Sequence, residues 1–280
     1  MSVVREARAL ASRVYHRLRP TPAEAAWRRI VHEAERSPRY TAGRARLLGL
    51  DLEYPDATSL APQWHDLFVR ETLAFAPGTD APRVLDCGAN VGLATLWIRR
   101  AFPRARVTAF EADPRIAQTL RANLDRNGCA DVEVVAAAAW REAGTLLFRR
   151  EGSDSGAVDE VGADTEGERV RVPAVRLRDW VADDHVDLLK LDVEGAERVL
   201  LVDLAVVLDR VRALHVEVHD FDPARRLLPA CLERLSAAGF TYALDDFAVA
   251  DWRKGTRPPG PFRHARGGWV VLARAWREAP

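Results

Sequence analysis

Lysine is almost missing from this chain. Only Lys190 and Lys254 occur, so arginine supplies nearly all of the 41 basic residues that balance 41 acidic ones among 280. With no net charge there is no electrostatic reason to expect nucleic acid or a membrane surface as partner. Cysteine is scarce as well: Cys87, Cys129 and Cys231 are odd in number and form no CxxC. Neither a disulfide framework nor a thiolate zinc site is indicated, and a reducing compartment fits best. No stretch approaches the roughly 18 to 20 uninterrupted apolar residues of a membrane span. The arginine-studded start also lacks the apolar core of a signal peptide. The expectation is a soluble, cytoplasmic protein. Internal repeats are absent, and so is the G-x-G-x-x-G of dinucleotide-binding turns.

What is present is organised in two parts. Residues 1 to 50 hold eleven arginines against four glutamates, a basic arm that reads as a solvated helix face. Val3, Ala7, Leu10, Val14 and Leu18 recur at helical spacing until Pro20. Their apolar stripe could pack on the main domain, on a second subunit to make a homodimer, or over an active-site mouth. Further helices are expected at about 22–35 and 63–75. From Arg83 onward strands and helices alternate, which demands a mostly parallel sheet with helices on both faces. Asp113 and Pro114 open one helix and Asn127-Gly128 closes it. "TLLF" and "RVRVPAV" read as an extra hairpin within 145–175, and the last two strands flank an irregular proline- and arginine-rich loop. The boundaries expected are an N-terminal helical extension over 1–78 and an α/β domain over 79–280.

The stretch "VLDCGANVGLATLW", residues 84–97, is an apolar strand, a glycine-rich turn and the start of an amphipathic helix. In an open α/β sheet such a turn faces the ligand at the carboxyl ends of the strands. A dinucleotide would put its pyrophosphate there, and the carboxylate of Asp86 would repel it. S-adenosylmethionine has no phosphate and carries a sulfonium and an ammonium, so an acid at this turn favours it over NAD. Glu111 ends the next strand 25 positions later, where its two oxygens can accept from ribose hydroxyls.

These residues, with "VTAFEADPRIAQTLRANLDRNG" and above all "VDLLKLDVEGAERVLL" at 186–201, resemble the FkbM-type S-adenosylmethionine-dependent methyltransferases over about 60–245. The resemblance implies a class I methyltransferase, Rossmann-like α/β fold: a mostly parallel, doubly wound sheet with an antiparallel last strand. It implies a transferase, mostly an O-methyltransferase for sugars, polysaccharides or bacterial natural products. By position, Asp86, Gly88, Asn90 and Gly92 would hold the methionine end of the cofactor and Glu111 its ribose. The end of the third strand, near Ala138, would border the adenine.

Methyl transfer to an alcohol needs in-line positioning and gains from a general base within hydrogen-bond reach of the hydroxyl. Two clusters at strand ends offer one. In "KLDVEG", Asp192 would point toward the methyl and Glu194 would lie beside the acceptor, although acids here also suit the first turn of a helix. In "HVEVHD", His215, Glu217 and His219 alternate onto one strand face. His219, with a pKa near neutral, is the preferred base, and Glu217 would orient its ring or bind a substrate hydroxyl. A divalent ion on Asp192, Glu217 and His219 is an alternative that is not favoured, because H-x-E-x-H on a strand is no recognised metal spacing. The competing classes are N-methylation of a small molecule, a nicotinamide oxidoreductase and a non-catalytic interaction domain. The acceptor's walls are expected from the N-terminal helices and the 150–168 and 253–268 loops.

Overall fold

A computed structural model describes residues 20–153, 156–159, 167–220, 227–247 and 269–277. The expected first helix and the 253–268 loop lie outside these residues. The chain divides into two compact units, Met1–Ala74 and Phe75–Pro280.

In the first unit, helix α1 (Pro22–Arg36) opens with a capping box: Glu24 N–H donates to Thr21, and Thr21 N–H donates to the Glu24 carboxylate. Strands β1 (Gly43–Leu47) and β2 (Leu50–Tyr54) form an antiparallel hairpin. Its two-residue turn, Leu48-Gly49, has both φ angles positive, which suits the twist of the strands. Leucine at the first of these positions is a poor turn signal, and the hairpin adds to the helices expected here. Helix α2 (Ala57–Trp64) is capped by Asp56, and a π-helical turn carries it on to Val69.

The second unit is built on a seven-stranded sheet. Along the chain come β3 (Arg83–Cys87), α3 (Leu93–Ala101), β4 (Arg106–Phe110), α4 (Pro114–Arg126) and β5 (Glu133–Val135). Then follow β6 (Ala138–Trp140), β7 (Gly144–Arg150), β8 (Ala157–Val158), β9 (Glu168–Arg176) and α5 (Leu177–Asp183). The chain finishes with β10 (Val186–Leu191), α6 (Glu197–Leu204), β11 (Val211–Asp220), α7 (Leu227–Ala237), β12 (Thr241–Phe247) and β13 (Trp269–Trp276). The sheet order is β12-β13-β11-β10-β3-β4-β5. All neighbours from β11 to β5 are parallel, and the last strand, β13, runs antiparallel between β11 and β12. This is the doubly wound, Rossmann-like sheet expected.

Strands β3 and β10 are buried at every position, as befits parallel strands covered on both faces. Leu189, Leu191 and Val216 share one apolar cluster with Leu177, Leu200, Leu204 and Leu235 from the helices. The chain leaves β3 toward β4 on one side and returns to β10 on the other, so the topological switch point lies between β3 and β10.

One expected strand is split. "VEVVAAAAW" supplies β5 to the main sheet and β6 to a separate four-stranded sheet, ordered β6-β9-β7-β8. The reason is geometric: β5 is an edge strand with only β4 beside it. The ladder stops at the pair Phe110–Val135 because β4 stops there. A turn closed by Ala137 N–H on the Val135 carbonyl then redirects the chain. Ala138 is therefore buried at the start of β6 rather than at the tip of the third strand.

Candidate functional site

The switch point brings together three strand ends. After β3 the chain turns at Gly88 (φ 79°), and a Cβ at this position would overlap the carbonyl oxygen of Asp192 after β10. Asn90 (φ 50°) and Gly92 (φ 94°) complete the turn, and Gly92 is the N-cap of α3. The turn's backbone N–H groups are largely taken by neighbouring acceptors. Gly88 and Ala89 donate to Phe110 O at 3.0 and 2.9 Å, Asn90 N–H to Glu111 Oε2 at 2.9 Å, and Gly92 N–H to Ala89 O at 2.9 Å. These bonds lash the turn to the end of β4. No side chain caps α3, so its first turn keeps the donor character of a helix start.

Asp86 is fully buried. Its Oδ2 accepts from Thr95 Oγ1 at 2.7 Å, and its Oδ1 faces Lys190 Nζ at 3.4 Å. The pairing follows from register, because Asp86 and Lys190 are direct neighbours on β3 and β10. Lys190 Nζ also donates to Gly88 O at 3.1 Å and to Asp192 Oδ2 at 3.0 Å. Burial works against the ammonium, but the carboxylates of Asp192, Asp86 and Glu217 outweigh it and hold the lysine protonated well above its usual range. Asp86 is thus first the counter-ion of Lys190. Its Oδ1 and Asn90 Oδ1 are buried without a hydrogen bond. Cys87 between them is packing, its thiol pushed up by burial.

Glu111 stands just past β4. Its Oε1 accepts from Asp113 N–H at 2.8 Å and its Oε2 from Asn90 N–H. Burial pushes its carboxyl up to about 7, against those two backbone donors. Asp113 caps α4 and holds Arg150 of β7 at 2.6 Å, which ties the small sheet to this rim.

The remaining groups come from β10, the turn after it, and β11. Alternation on β11 does place His215 and His219 on one face, with fully buried Val216 and Val218 on the other. Their partners differ from those expected. Glu217 Oε1 lies 3.3 Å from His215 Nε2, so it does not orient His219. That task falls to Glu197, a fully buried acid at the start of α6, whose Oε1 is 2.9 Å from His219 Nδ1. The same oxygen accepts from Val193 N–H at 3.2 Å and Gly195 N–H at 3.1 Å. These donors compensate the cost of burying a carboxylate.

On its other side His219 Nε2 lies 3.7 Å from Asp192 Oδ1 and 3.5 Å from Glu194 Oε1. Burial would lower the imidazole pKa, but Glu194, Glu197 and Asp192 raise it well above 6.5. That direction departs from the near-neutral pKa expected of His219. Asp192, Glu194 and His219 are also a metal-capable set, with ligand atoms mutually within 4.8 Å. Glu217 has no place in it, since it sits two residues back along β11 beside His215.

Lys190, Thr95 and Glu197 are the site residues that sequence reasoning passed over. A lysine inside an apolar strand of a chain with only two was a usable signal for the first. Nothing distinguished Glu197 from an exposed first-turn acid.

The model of the Methyltransferase FkbM domain family matches residues 86–242. "Methyltransferase 1" of Beauveria bassiana is 27% identical over 154 residues, covering 47% of this chain and 62% of that protein. The AMB antimetabolite synthetase AmbE of Pseudomonas aeruginosa is 31% identical over 218 residues, 62% of this chain but 10% of that protein. The 31-O-demethyl-FK506 methyltransferase FkbM of Streptomyces tacrolimicus is 30% identical over 207 residues, 62% of this chain and 77% of that protein. The chain thus spans less than two thirds of the first two.

Proposed function

The chain belongs to the FkbM methyltransferase domain family, and on that premise we propose that it is an S-adenosylmethionine-dependent O-methyltransferase acting on a hydroxyl of a small molecule, a sugar or a bacterial secondary metabolite. The observation that carries the proposal is the charge of the strand ends. Five carboxylates, of Asp86, Asp192, Glu194, Glu197 and Glu217, pair with one lysine and two histidines, and Glu111 adds a sixth acid held by backbone N–H groups. Such a surplus suits a cationic, phosphate-free ligand and opposes a dinucleotide.

The residues present fit that cofactor. Asp86 Oδ1 and Asn90 Oδ1, buried without hydrogen bonds, supply acceptors for an ammonium near the first turn of α3. Glu111 keeps acceptor capacity on both oxygens for a ribose diol. The bound cofactor supplies an electrophilic methyl on a sulfonium. Asp192, at the switch point and 26% exposed, accepts the acceptor's hydroxyl, and with Glu194 it receives the proton that leaves on methylation. Lys190 anchors Asp192 from behind, while His219, fixed by Glu197, sets the reach of both carboxylates. In this reading Glu217 supports His215, and Ala138, at the start of β6, takes no part in holding the cofactor.

Calorimetry with S-adenosylmethionine and with NAD, followed by methyl release onto hydroxylated acceptors, tests the assignment. Binding of the first ligand alone is expected. Asp192→Asn should lower turnover about a hundredfold with cofactor affinity within a few-fold. Binding of NAD in preference, or turnover unaffected by that substitution, would overturn it.

A further inference from the structure

We propose that Asp192 Oδ1, Glu194 Oε1 and His219 Nε2 form a binding site for one divalent cation of the Mn²⁺ class, with Glu197 as the residue that orients the imidazole ligand. His219 Nε2 lies 3.5 Å from Glu194 Oε1 and 3.7 Å from Asp192 Oδ1, and all three atoms fall within 4.8 Å of one another. Octahedral bonds of about 2.1 Å place neighbouring ligands about 3 Å and opposite ligands about 4 Å apart, so small side-chain rotations bring the set to bonding geometry. The donors come from three places that the fold holds rigidly: the end of β10, the left-handed residue Glu194 in the turn that follows, and the exit of β11.

A second observation is independent of the three donors. Glu197, fully buried on α6, lies 2.9 Å from Nδ1 of His219 and takes no other side chain among its described hydrogen bonds. A carboxylate on one imidazole nitrogen with the other nitrogen aimed at oxygen ligands is the arrangement that fixes the tautomer and raises the basicity of a metal-bound histidine. Its second oxygen, Oε2, is buried without a hydrogen bond, and Oε1 alone serves the ring and the two backbone N–H groups. Two carboxylates and one imidazole suit Mn²⁺, and they leave positions for water or an acceptor oxygen. Glu194 and Asp192 are 16% and 26% exposed, which provides an entry path.

With the ion bound, Asp192 and Glu194 would act as its ligands and the ion would polarise the acceptor hydroxyl in place of their direct contact with it; this catalytic use rests on the methyl-transfer reading, and the binding does not. The test is a titration of the full chain with Mn²⁺, following the free-ion electron paramagnetic resonance signal, with S-adenosylmethionine calorimetry on the same samples. Wild type is expected to bind about one Mn²⁺ below about a millimolar. Glu194→Gln should weaken binding at least about tenfold, and Glu197→Gln about ten- to hundredfold. Glu194→Gln keeps size and backbone preference, so it remains informative if Glu197→Gln fails to fold. Absence of Mn²⁺ binding by the wild type, or equal binding by Glu194→Gln, overturns the site. Cofactor binding that persists in either case shows that the cation site has failed and the methyltransferase reading has not.

Discussion

Cofactor affinity should fall steeply below neutral pH, and Glu111 is the reason. Its carboxyl is pushed up to about 7 by burial, with the Asp113 carboxylate adding to the effect and two backbone donors and Lys190 opposing it. A ribose diol donates to a carboxylate, so a proton on Glu111 competes with the ligand, and binding must release it. With that pKa, Glu111 is about nine-tenths ionised at pH 8 and about one-tenth at pH 6. The dissociation constant of S-adenosylmethionine should therefore rise about tenfold between these values, about 1.4 kcal/mol.

The same shift makes a claim about stability. A carboxyl whose folded pKa lies above its unfolded value favours the fold below about pH 4 and loses that contribution as pH rises through about 7. Ionised Glu111 thus costs the ligand-free protein a few kcal/mol at pH 8. Glu111→Gln should raise the melting temperature of the ligand-free protein at pH 8 and leave it nearly unchanged near pH 4. It should weaken the cofactor about ten- to hundredfold at pH 8, the worth of charge-assisted hydrogen bonds. Most tellingly, it should flatten the pH dependence of binding, which separates Glu111 from any ionisation of the ligand itself. Calorimetry at pH 6, 7 and 8, in two buffers of different ionisation enthalpy, reads both affinity and proton release. An affinity for the wild type that does not change with pH, or the same slope in Glu111→Gln, refutes the reasoning.

Two further substitutions probe the frame of the site. Lys190→Met leaves Asp86 and Asp192 facing each other without their shared cation, and urea denaturation should show a loss of about 3–5 kcal/mol; a change under about 0.5 kcal/mol would mean that the buried pair does not exist in solution. Gly88→Ala forces a side chain into a left-handed backbone and against the Asp192 carbonyl. Its unfolding free energy should drop by about 2 kcal/mol or more, and a melting temperature equal to that of the wild type would rule out the close approach of β3 and β10.

Much of the sheet was legible because its signals are local. β3 and β10 are short, largely apolar runs, β11 alternates polar with apolar residues, and the pair Asp113-Pro114 starts α4 where its capping chemistry requires. The turn at Leu48-Gly49 and the break after Val135 were not legible. The first puts a leucine where glycine or asparagine is the usual marker, and the second depends on where a neighbouring strand ends.

By itself the sequence determined the alternation of strand and helix, and with it which acids stand at strand ends. Side-chain alternation along one strand is a property of that strand, and it correctly set His215 and His219 on a common face. Only the tertiary structure decided which charge meets which. Asp86 faces Lys190 because β3 and β10, 102 residues apart at the Lys190–Gly88 bond, lie side by side in a definite register. His219 takes Glu197 rather than Glu217 because α6 starts against the exit of β11. Coulomb energy and hydrogen bonding depend on distances between elements, and those distances are set by packing rather than by sequence spacing.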